Sequence, residues 1–259
     1  IGATMRLEDV LTLNQNLIDV SLPIRDGMFP IGEASNVKLT TLANYENGYY
    51  ETQLRMSVHA GTHMDYPSHI DEQGQRAFIS DAFQDSIFPE HTFTLAYFLP
   101  FDNKQPTDIL PEGTQRYGDE ITSEEIREWS DTFGKKYPAF PHKNVKGALL
   151  RTLWYDHWFD ADFWQRGSPT LSDDGAQYLV SQGINYIASD FLFTFPGRTH
   201  DIVIKGSDRF QVESLCNLSK LSSDVVGLFV APLKLQGCEG LPARVYAVNL
   251  DLSEYEVKS

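Results

Sequence analysis

The sequence predicts an α/β fold, and three stretches of the chain support this class. Residues 145–188 read as strand, helix and strand, the unit from which α/β proteins are built. Residues 50–58 alternate between apolar and polar side chains, a pattern typical of a strand with one buried face. Residues 225–230 form a near-continuous apolar run, as expected of a strand covered on both sides. The 259 residues can bury a full core, and we expect residues 1–259 to form one domain.

The first half of the chain is predicted to supply strands. Residues 17–22 read as a short strand, followed by a turn at residues 25–27. The alternating strand over residues 50–58 leads directly into His59, so that a rigid element would anchor this side chain. Residues 92–99 are rich in β-branched and aromatic side chains and are stopped by Pro100.

Residues 101–143 differ in composition, because they are polar and interrupted by Pro and Gly. They contain one clear helix, which begins with a capping box between Thr122 and Glu125 and a hydrophobic staple between Ile121 and Ile126. This segment has too few apolar residues for a core of its own. We therefore expect it to be an excursion from the main domain.

The second half contains the strand, helix, strand unit. A strand over residues 145–152 is followed by a helix that Ser172 caps, with Asp173 and Asp174 in its first turn and Gly183 just past its end. Residues 184–188 form the next strand, and residues 245–250 close the sheet. These elements predict a sheet with helices packed against it.

Composition excludes several classes of partner. A formal net charge of −15 argues against nucleic acid and anionic membranes, which require Lys and Arg surfaces. No apolar run approaches the length that crosses a bilayer, so we expect a soluble protein. Cys216 and Cys238 fit no zinc or redox pattern, which favours the reducing cytoplasm. The start shows no intact signal peptide, and we expect Met5 to be the initiator, with residues 1–4 a cloning remnant.

Residues 59–69 carry three of the seven histidines of the chain together with Asp65. Imidazole and carboxylate groups are the ligands that divalent metals prefer in proteins. Two residues four apart on an extended chain are separated by roughly 13 Å, so the chain must bend between His59 and His63 or serve two ions. Gly61 permits such a bend, and alternation then places His63 and Asp65 on one side. His69 is set back from the ion, as a candidate acid or base.

Glu213 is a second candidate ligand, because its neighbours are apolar and a carboxylate in such surroundings requires a cation. His200 lies thirteen residues before it. The alternative interpretation is that these histidines belong to a polar loop and only cap backbone groups. The concentration of three histidines in one short segment favours the metal site over this alternative.

The pattern His-x-Gly-Thr-His-x-Asp-x-Pro-x-His, which residues 59–69 match at every position, resembles the signature of the metal-dependent cyclase family of hydrolases. That family includes bacterial kynurenine formamidase and isatin hydrolase. The similarity extends to Pro169, to Asp190 and to the C-terminal segment over residues 231–244. It departs from the family at Thr152-Leu153, where many members have Thr-Gly.

The resemblance implies a mixed-sheet swivelling β/β/α domain that assembles as a homodimer or homotetramer. It implies one or two divalent ions, zinc or manganese, and a proton transfer from His69 to a departing amine. The implied metal ligands are His59, His63, Asp65, His200 and Glu213. The implied substrate-binding residues are Phe29 and Pro30, and the aromatic side chains of Tyr66 and Trp154 are further candidates for the pocket wall.

The function expected from this reading is hydrolysis of a small aromatic amide, formamide or lactam, similar to N-formylkynurenine or isatin, by a metal-activated water. Two alternatives stay open. One is a cyclase or lyase that uses the same ligands on a small carbonyl compound without hydrolysis. The other is a metal-binding protein without catalytic activity.

Overall fold

The computed structural model describes residues 16–28, 37–74, 93–109, 118–158, 166–192 and 198–257. Phe29 and Pro30, predicted to contact substrate, lie outside these residues. The helices are α1 Ser123–Lys136, α2 Asp173–Ser181 and α3 Thr199–Val203. The strands are β1 Ile18–Asp19, β2 Lys38–Ala43, β3 Glu51–Arg55, β4 His63–Asp65, β5 Phe93–Pro100, β6 Glu120–Ile121, β7 Val145–Arg151, β8 Thr170–Leu171, β9 Tyr186–Ser189, β10 Phe210–Glu213, β11 Val225–Pro232 and β12 Gly240–Asn249.

Eight of these strands form one mixed sheet, in the order β1-β12-β11-β5-β7-β9-β10-β4. The pairs β5–β7, β7–β9 and β9–β10 are parallel, and the other neighbours are antiparallel. Strand β4 also pairs with β12, so the sheet curls back on itself like a barrel. The α/β class and the mixed sheet predicted from the sequence are confirmed.

The two faces of this sheet bury separate apolar clusters. Alternate residues along each strand point to opposite faces, so that Phe210 and Val212 pack inside the curled sheet while Gln211 and Glu213 point outward. The inner cluster includes Met64, Ala96, Leu149, Tyr186, Leu241 and Ala247. The outer cluster joins the sheet to the helices and includes Leu99, Ile126, Leu150, Ala176, Ile187 and Val203.

Helix α1 begins as predicted. The Thr122 hydroxyl accepts from the backbone N–H of Glu125, and the Glu125 carboxylate accepts from the backbone N–H of Thr122. Ile121 and Ile126 are buried in the outer cluster, so the part of the excursion that begins at residue 118 packs on the main sheet. Helix α2 is capped by Ser172, again as predicted.

The region before His59 differs from the prediction of a half-buried strand over residues 50–58. Strand β3 is exposed along its whole length, has β2 as its one partner among the described strands, and ends at Arg55. The prediction was wrong because alternation identifies a strand but does not show what covers its apolar face. Leu54, which was expected to be buried, is 50% exposed on this two-stranded ribbon.

The departure at Thr152-Leu153 has a local structural consequence. Leu153 adopts a left-handed conformation with φ of 63°, which glycine adopts without strain. The buried Asp190 carboxylate stabilises this turn by accepting from the backbone N–H and the hydroxyl of Thr152. Burial raises the pKa of Asp190 to about 7, against the lowering effect of these hydrogen bonds.

Candidate metal centre

The bend predicted between His59 and His63 is present at Gly61, whose φ is 69°. It allows the Gly61 carbonyl to accept a hydrogen bond from Nδ1 of His63, 2.8 Å away. A carbonyl oxygen cannot donate, so the proton of a neutral His63 ring lies on Nδ1. Nε2 is then left with a lone pair, which is the tautomer that a metal-ligating histidine requires.

Thr62 connects the bend to two distant segments. Its hydroxyl accepts from the backbone N–H of Leu22 at 2.7 Å and donates to the backbone carbonyl of Ser214 at 2.5 Å. Ser214 directly follows Glu213 and has a φ of 60°. This buried hydroxyl therefore holds the segment of His63 and the end of β10 in fixed relative positions.

Strand pairing brings His63 and Glu213 together across 150 residues of sequence. Strand β4 lies antiparallel to β10, and in this register His63 is directly opposite Glu213. Directly opposite residues in an antiparallel pair have side chains on the same face. Helix α3 then places His200 over the same face, so the sequence-predicted ligands converge on the outside of the curled sheet.

Four of the predicted ligands form a buried inner group, comprising His63, Asp65, Glu213 and His200. Nε2 of His63 lies 3.5 Å from Oδ1 of Asp65 and 3.7 Å from Oε2 of Glu213. Nε2 of His200 lies 3.4 Å from Oδ2 of Asp65 and 3.3 Å from Oε1 of Glu213. The side chains of His63, Asp65 and Glu213 are at most 5% exposed.

A second group lies nearer the surface and shares Asp65 with the first. Nδ1 of His59 is 2.8 Å from Oδ1 of Asp65, and its side chain is 23% exposed. The ring centroids of His59 and His69 are 4.3 Å apart, and the His69 side chain is exposed. The ligand atoms of His59, Asp65 and His69 lie within 4.8 Å of one another. His69 is therefore as close to Asp65 as a metal ligand would be, and the structure does not set it back from the cluster as predicted.

The carboxylates control the charge of this cluster. Burial alone would raise the pKa of Asp65, but the neighbouring histidines hold it well below its usual value. Burial would lower the pKa of His200, but Asp65 and Glu213 raise it to about 10. Desolvation and the nearby rings of His59 and His200 lower the pKa of His69, against the opposing charge of Asp65. His69 is therefore disposed to be neutral while Asp65 is ionised.

The inner group fits a divalent cation in donor type and in spacing. Ligand atoms bonded to one ion at about 2.1 Å lie roughly 3.0 to 3.4 Å apart in octahedral or tetrahedral geometry. The nitrogen to oxygen distances of 3.3 to 3.7 Å are close to this range and long for hydrogen bonds. Two buried carboxylates need a positive charge beside them, which a divalent cation would supply in place of the proton on His200.

The predicted substrate-binding residues have different outcomes. Tyr66 is 2% exposed and packs in the inner cluster with Met64, on the face of the sheet opposite the ligands. The alternation that aims Asp65 outward aims the next residue inward, so the structure does not bring Tyr66 together with the ligands, and its contact with substrate stays a prediction. Trp154 belongs to the outer cluster together with Ala60, which adjoins His59. Its placement on the ligand side agrees with the prediction but does not test substrate contact.

Two residues near the site were missed from the sequence. The carboxylate of Glu239 lies 3.6 Å from Nε2 of His59. At Gly240 an added Cβ would lie 2.5 Å from Cε1 of His59, so this ring packs directly on the glycine backbone. Both contacts depend on the pairing of β12 with β4, in which Gly240 is opposite Asp65. The only signal in the sequence was their position inside the family-like C-terminal segment.

Within the described residues, none of the helices is long and apolar enough to cross a membrane. Both cysteines are free thiols, and Cys216 is buried.

Comparison with known proteins gives matches in sequence and in fold. Cyclase-like protein 1 from Arabidopsis thaliana is 28% identical over 219 residues, covering 82% of this chain and 75% of that protein. Cyclase-like protein 2 from Oryza sativa subsp. japonica is 24% identical over 260 residues, covering 96% of this chain and 81% of that protein. Isatin hydrolase A from Ralstonia solanacearum has a TM-score of 0.68 at 17% identity, covering 96% of this chain and all of that one.

A further solved structure, described as a predicted metal-dependent hydrolase from Bacillus stearothermophilus, has a TM-score of 0.61 at 22% identity and covers 90% of this chain and 98% of that one. At such identities the solved structures establish the fold. The family model named Cyclase matches residues 18–194, which include the histidine segment and stop before His200 and Glu213. The chain therefore belongs to the cyclase family.

Proposed function

We propose that this protein is a metal-dependent hydrolase that cleaves the C–N bond of a small aromatic amide, formamide or lactam. The observation that carries the proposal is the hydrogen bond from Nδ1 of His63 to the Gly61 carbonyl. It leaves Nε2 of a neutral ring pointing at the buried carboxylates of Asp65 and Glu213. The two buried carboxylates require a positive charge beside them, and a divalent cation would supply it in place of the proton that the raised pKa of His200 keeps on its ring in the metal-free protein.

The residues that would hold this cation are His63, Asp65, Glu213 and His200, with His59 joining Asp65 if a second ion binds. A divalent ion bound there supplies a nucleophilic water at neutral pH and polarises a carbonyl group. Zinc and manganese both suit a mixed set of imidazole and carboxylate ligands.

His69 is the residue to which we assign proton transfer. Its ring is exposed and next to His59, so it can reach both the buried cluster and a bound substrate. Its lowered pKa keeps Nδ1 or Nε2 unprotonated at neutral pH, as a general base requires. After it accepts a proton from the attacking water, it can return that proton to the departing nitrogen, which leaves as a neutral amine.

An aromatic substrate is supported by the aromatic side chains on the ligand side of the sheet. Trp154 belongs to the outer cluster, and Trp158 packs partly buried against it. Aromatic walls bind planar ligands by stacking. The fold shared with structures of isatin hydrolase favours a fused lactam ring. We further propose a cytoplasmic location, with which two free cysteines agree, and assembly as a homodimer or homotetramer.

The test is a substrate screen on protein loaded with Zn²⁺ or Mn²⁺, using isatin, N-formylkynurenine and simple aromatic formamides and lactams. We expect turnover of at least one of them, and incorporation of one ¹⁸O atom from labelled water into the product acid. His69→Ala should lower kcat by about 10²- to 10⁴-fold, the usual contribution of a general acid or base. The control is His142→Ala, since His142 contacts Tyr97 rather than the ligand cluster.

Two outcomes would replace this proposal. Turnover without solvent oxygen in the product would indicate the cyclase or lyase alternative on the same metal centre. Tight metal binding without turnover of any compound in the screen would favour a metal-binding protein without catalytic activity. Unchanged kcat in His69→Ala would remove His69 from the mechanism.

A further inference from the structure

Gln211 is a fully buried polar side chain beside the metal centre, and its amide makes no hydrogen bond to the described part of the fold. Its exposed fraction is 0%, and neither the nitrogen nor the oxygen of its amide has a hydrogen-bond partner among the described residues. A glutamine amide offers two donor hydrogens and two acceptor lone pairs. Burying such a group without partners destabilises a folded protein, so its presence in a core requires an explanation.

The position of Gln211 relates it directly to Asp65. Strand β10 pairs with β4 so that Gln211 is opposite Asp65, just as Glu213 is opposite His63. Opposite residues share a face, and their Cβ atoms are separated by about 4.5 to 5.5 Å. Phe210 and Val212 point into the inner cluster, which leaves Gln211 on the outer face with the ligands. Its amide is therefore within reach of the Asp65 carboxylate.

Asp65 needs a new donor when a cation binds. In the structure its oxygens lie 2.8 Å from Nδ1 of His59 and 3.4 Å from Nε2 of His200. A histidine nitrogen that binds a cation uses its lone pair and carries no hydrogen to donate. Metal-ligating carboxylates are in turn held by hydrogen bonds from residues behind them. Gln211 is the described side chain opposite Asp65 with unused N–H groups.

We infer that Gln211 is a positioning residue of the metal centre, whose amide donates to the Asp65 carboxylate, directly or through one buried water, when the cation is bound. This inference rests on the metal centre of the proposed function. It explains why a glutamine occupies a site where an apolar residue of the same size would cost less in the metal-free protein.

The experiment compares wild type with Gln211→Met, which keeps the side-chain length and removes the amide. Two quantities are measured: the dissociation constant for Zn²⁺, by competition with a chromophoric chelator, and the Tm of the metal-free protein. We expect the dissociation constant to rise about 10- to 100-fold, as for other residues that orient metal ligands. The metal-free Tm should stay equal or rise, because the variant removes an unsatisfied buried group.

Val212→Ala is the matched control, because Val212 is the next residue and faces the inner cluster. It should lower Tm through a cavity while leaving the dissociation constant unchanged. If Gln211→Met misfolds, Gln211→Leu provides a second test, since it also removes the amide donor and introduces no charge and no metal ligand, and it should also weaken Zn²⁺ binding. A lower metal-free Tm with an unchanged dissociation constant in either variant would show that Gln211 is only structural.

The outcomes separate this inference from the proposed function. Wild-type protein that binds neither Zn²⁺ nor Mn²⁺ would overturn the metal centre and this inference with it. Tight binding by wild type together with equally tight binding by Gln211→Met would overturn only the role of Gln211. Neither reading depends on knowing the substrate.

Discussion

Gly240→Ala is expected to disturb the metal centre through a single methyl group. The added Cβ would lie 2.5 Å from Cε1, 2.9 Å from Nδ1 and 3.0 Å from Nε2 of His59, and these are its three nearest contacts. Ordinary contact begins near 3.4 Å, so the ring must move by about 0.9 Å. Gly240 is not at a positive φ, so the substitution adds no backbone strain of its own.

A displacement of this size matters because Nδ1 of His59 lies 2.8 Å from Asp65, the residue shared by both ligand groups. We expect the Zn²⁺ dissociation constant to rise about 10- to 100-fold, the range seen when a ligating histidine loses its orientation. This corresponds to about 1.4 to 2.7 kcal/mol of binding free energy. Competition with a chromophoric chelator measures it.

Two further variants isolate the cause. Gly134→Ala makes the same substitution in α1, where the added Cβ meets nothing within 4 Å, and should stabilise the fold by about 0.5 to 1 kcal/mol without affecting Zn²⁺. In a His59→Ala background the clash is absent, so Gly240→Ala should then have no additional effect on binding. An unchanged dissociation constant for Gly240→Ala alone would refute the proposed contact between this backbone and the metal ligand.

Three other predictions follow from charge, burial and exposure. Asp65 and Glu213 raise the pKa of His200 to about 10 in the metal-free protein, so metal binding at pH 7 to 8 should release a proton, and the affinity for metal should increase with pH until about pH 10. Calorimetry in buffers of different ionisation enthalpy measures the released proton. A heat of binding that does not depend on the buffer would contradict the prediction. Burial raises the pKa of Cys216 to about 12, so iodoacetamide should leave it unmodified in the native protein and alkylate it after unfolding, as read by peptide mass spectrometry. The ribbon of β2 and β3 exposes apolar side chains, Leu54 among them, and such a surface favours contact between copies of the chain. Leu54→Arg should therefore lower the molar mass measured by light scattering. An unchanged molar mass would place the interface elsewhere.

The conformation of residues 59–69 was predictable because it depends on residues that are close together in the sequence. A bend at Gly61 and alternation after it follow from backbone rules, and the structure has φ of 69° there and His63 and Asp65 on one strand face. The caps of α1 and α2 were predictable for the same reason, since Thr122 and Ser172 bond to backbone groups three residues away.

What could not be predicted depends on pairing between distant strands. The contact of Gly240 with His59 and the position of Gln211 opposite Asp65 both come from the strands that flank β4. No property of a single segment reveals its partner in a sheet. The same limit explains the error at residues 50–58, where alternation was interpreted as burial although, in the part of the chain that the structure describes, β3 pairs with β2 alone and is exposed.

The direction of the Tyr66 side chain could not be predicted from its aromatic character, which made it a candidate for the pocket wall. One step along a strand reverses the direction of the side chain, and Tyr66 lies in the inner cluster while Asp65 points outward. Sequence neighbours of a ligand are thus divided between the site and the opposite core. Trp154 is distant in sequence and yet lies on the ligand side.

Metal content is the most direct test of the central claim that His63, Asp65 and Glu213 bind a divalent cation. The protein is equilibrated with Zn²⁺ or Mn²⁺, dialysed, and measured by elemental mass spectrometry beside Glu213→Ala and the control Glu128→Ala, an exposed carboxylate on α1. We predict one or two ions per chain in wild type and in the control, and loss of at least one ion in Glu213→Ala. Equal metal content in wild type and Glu213→Ala, or none in either, would contradict the claim.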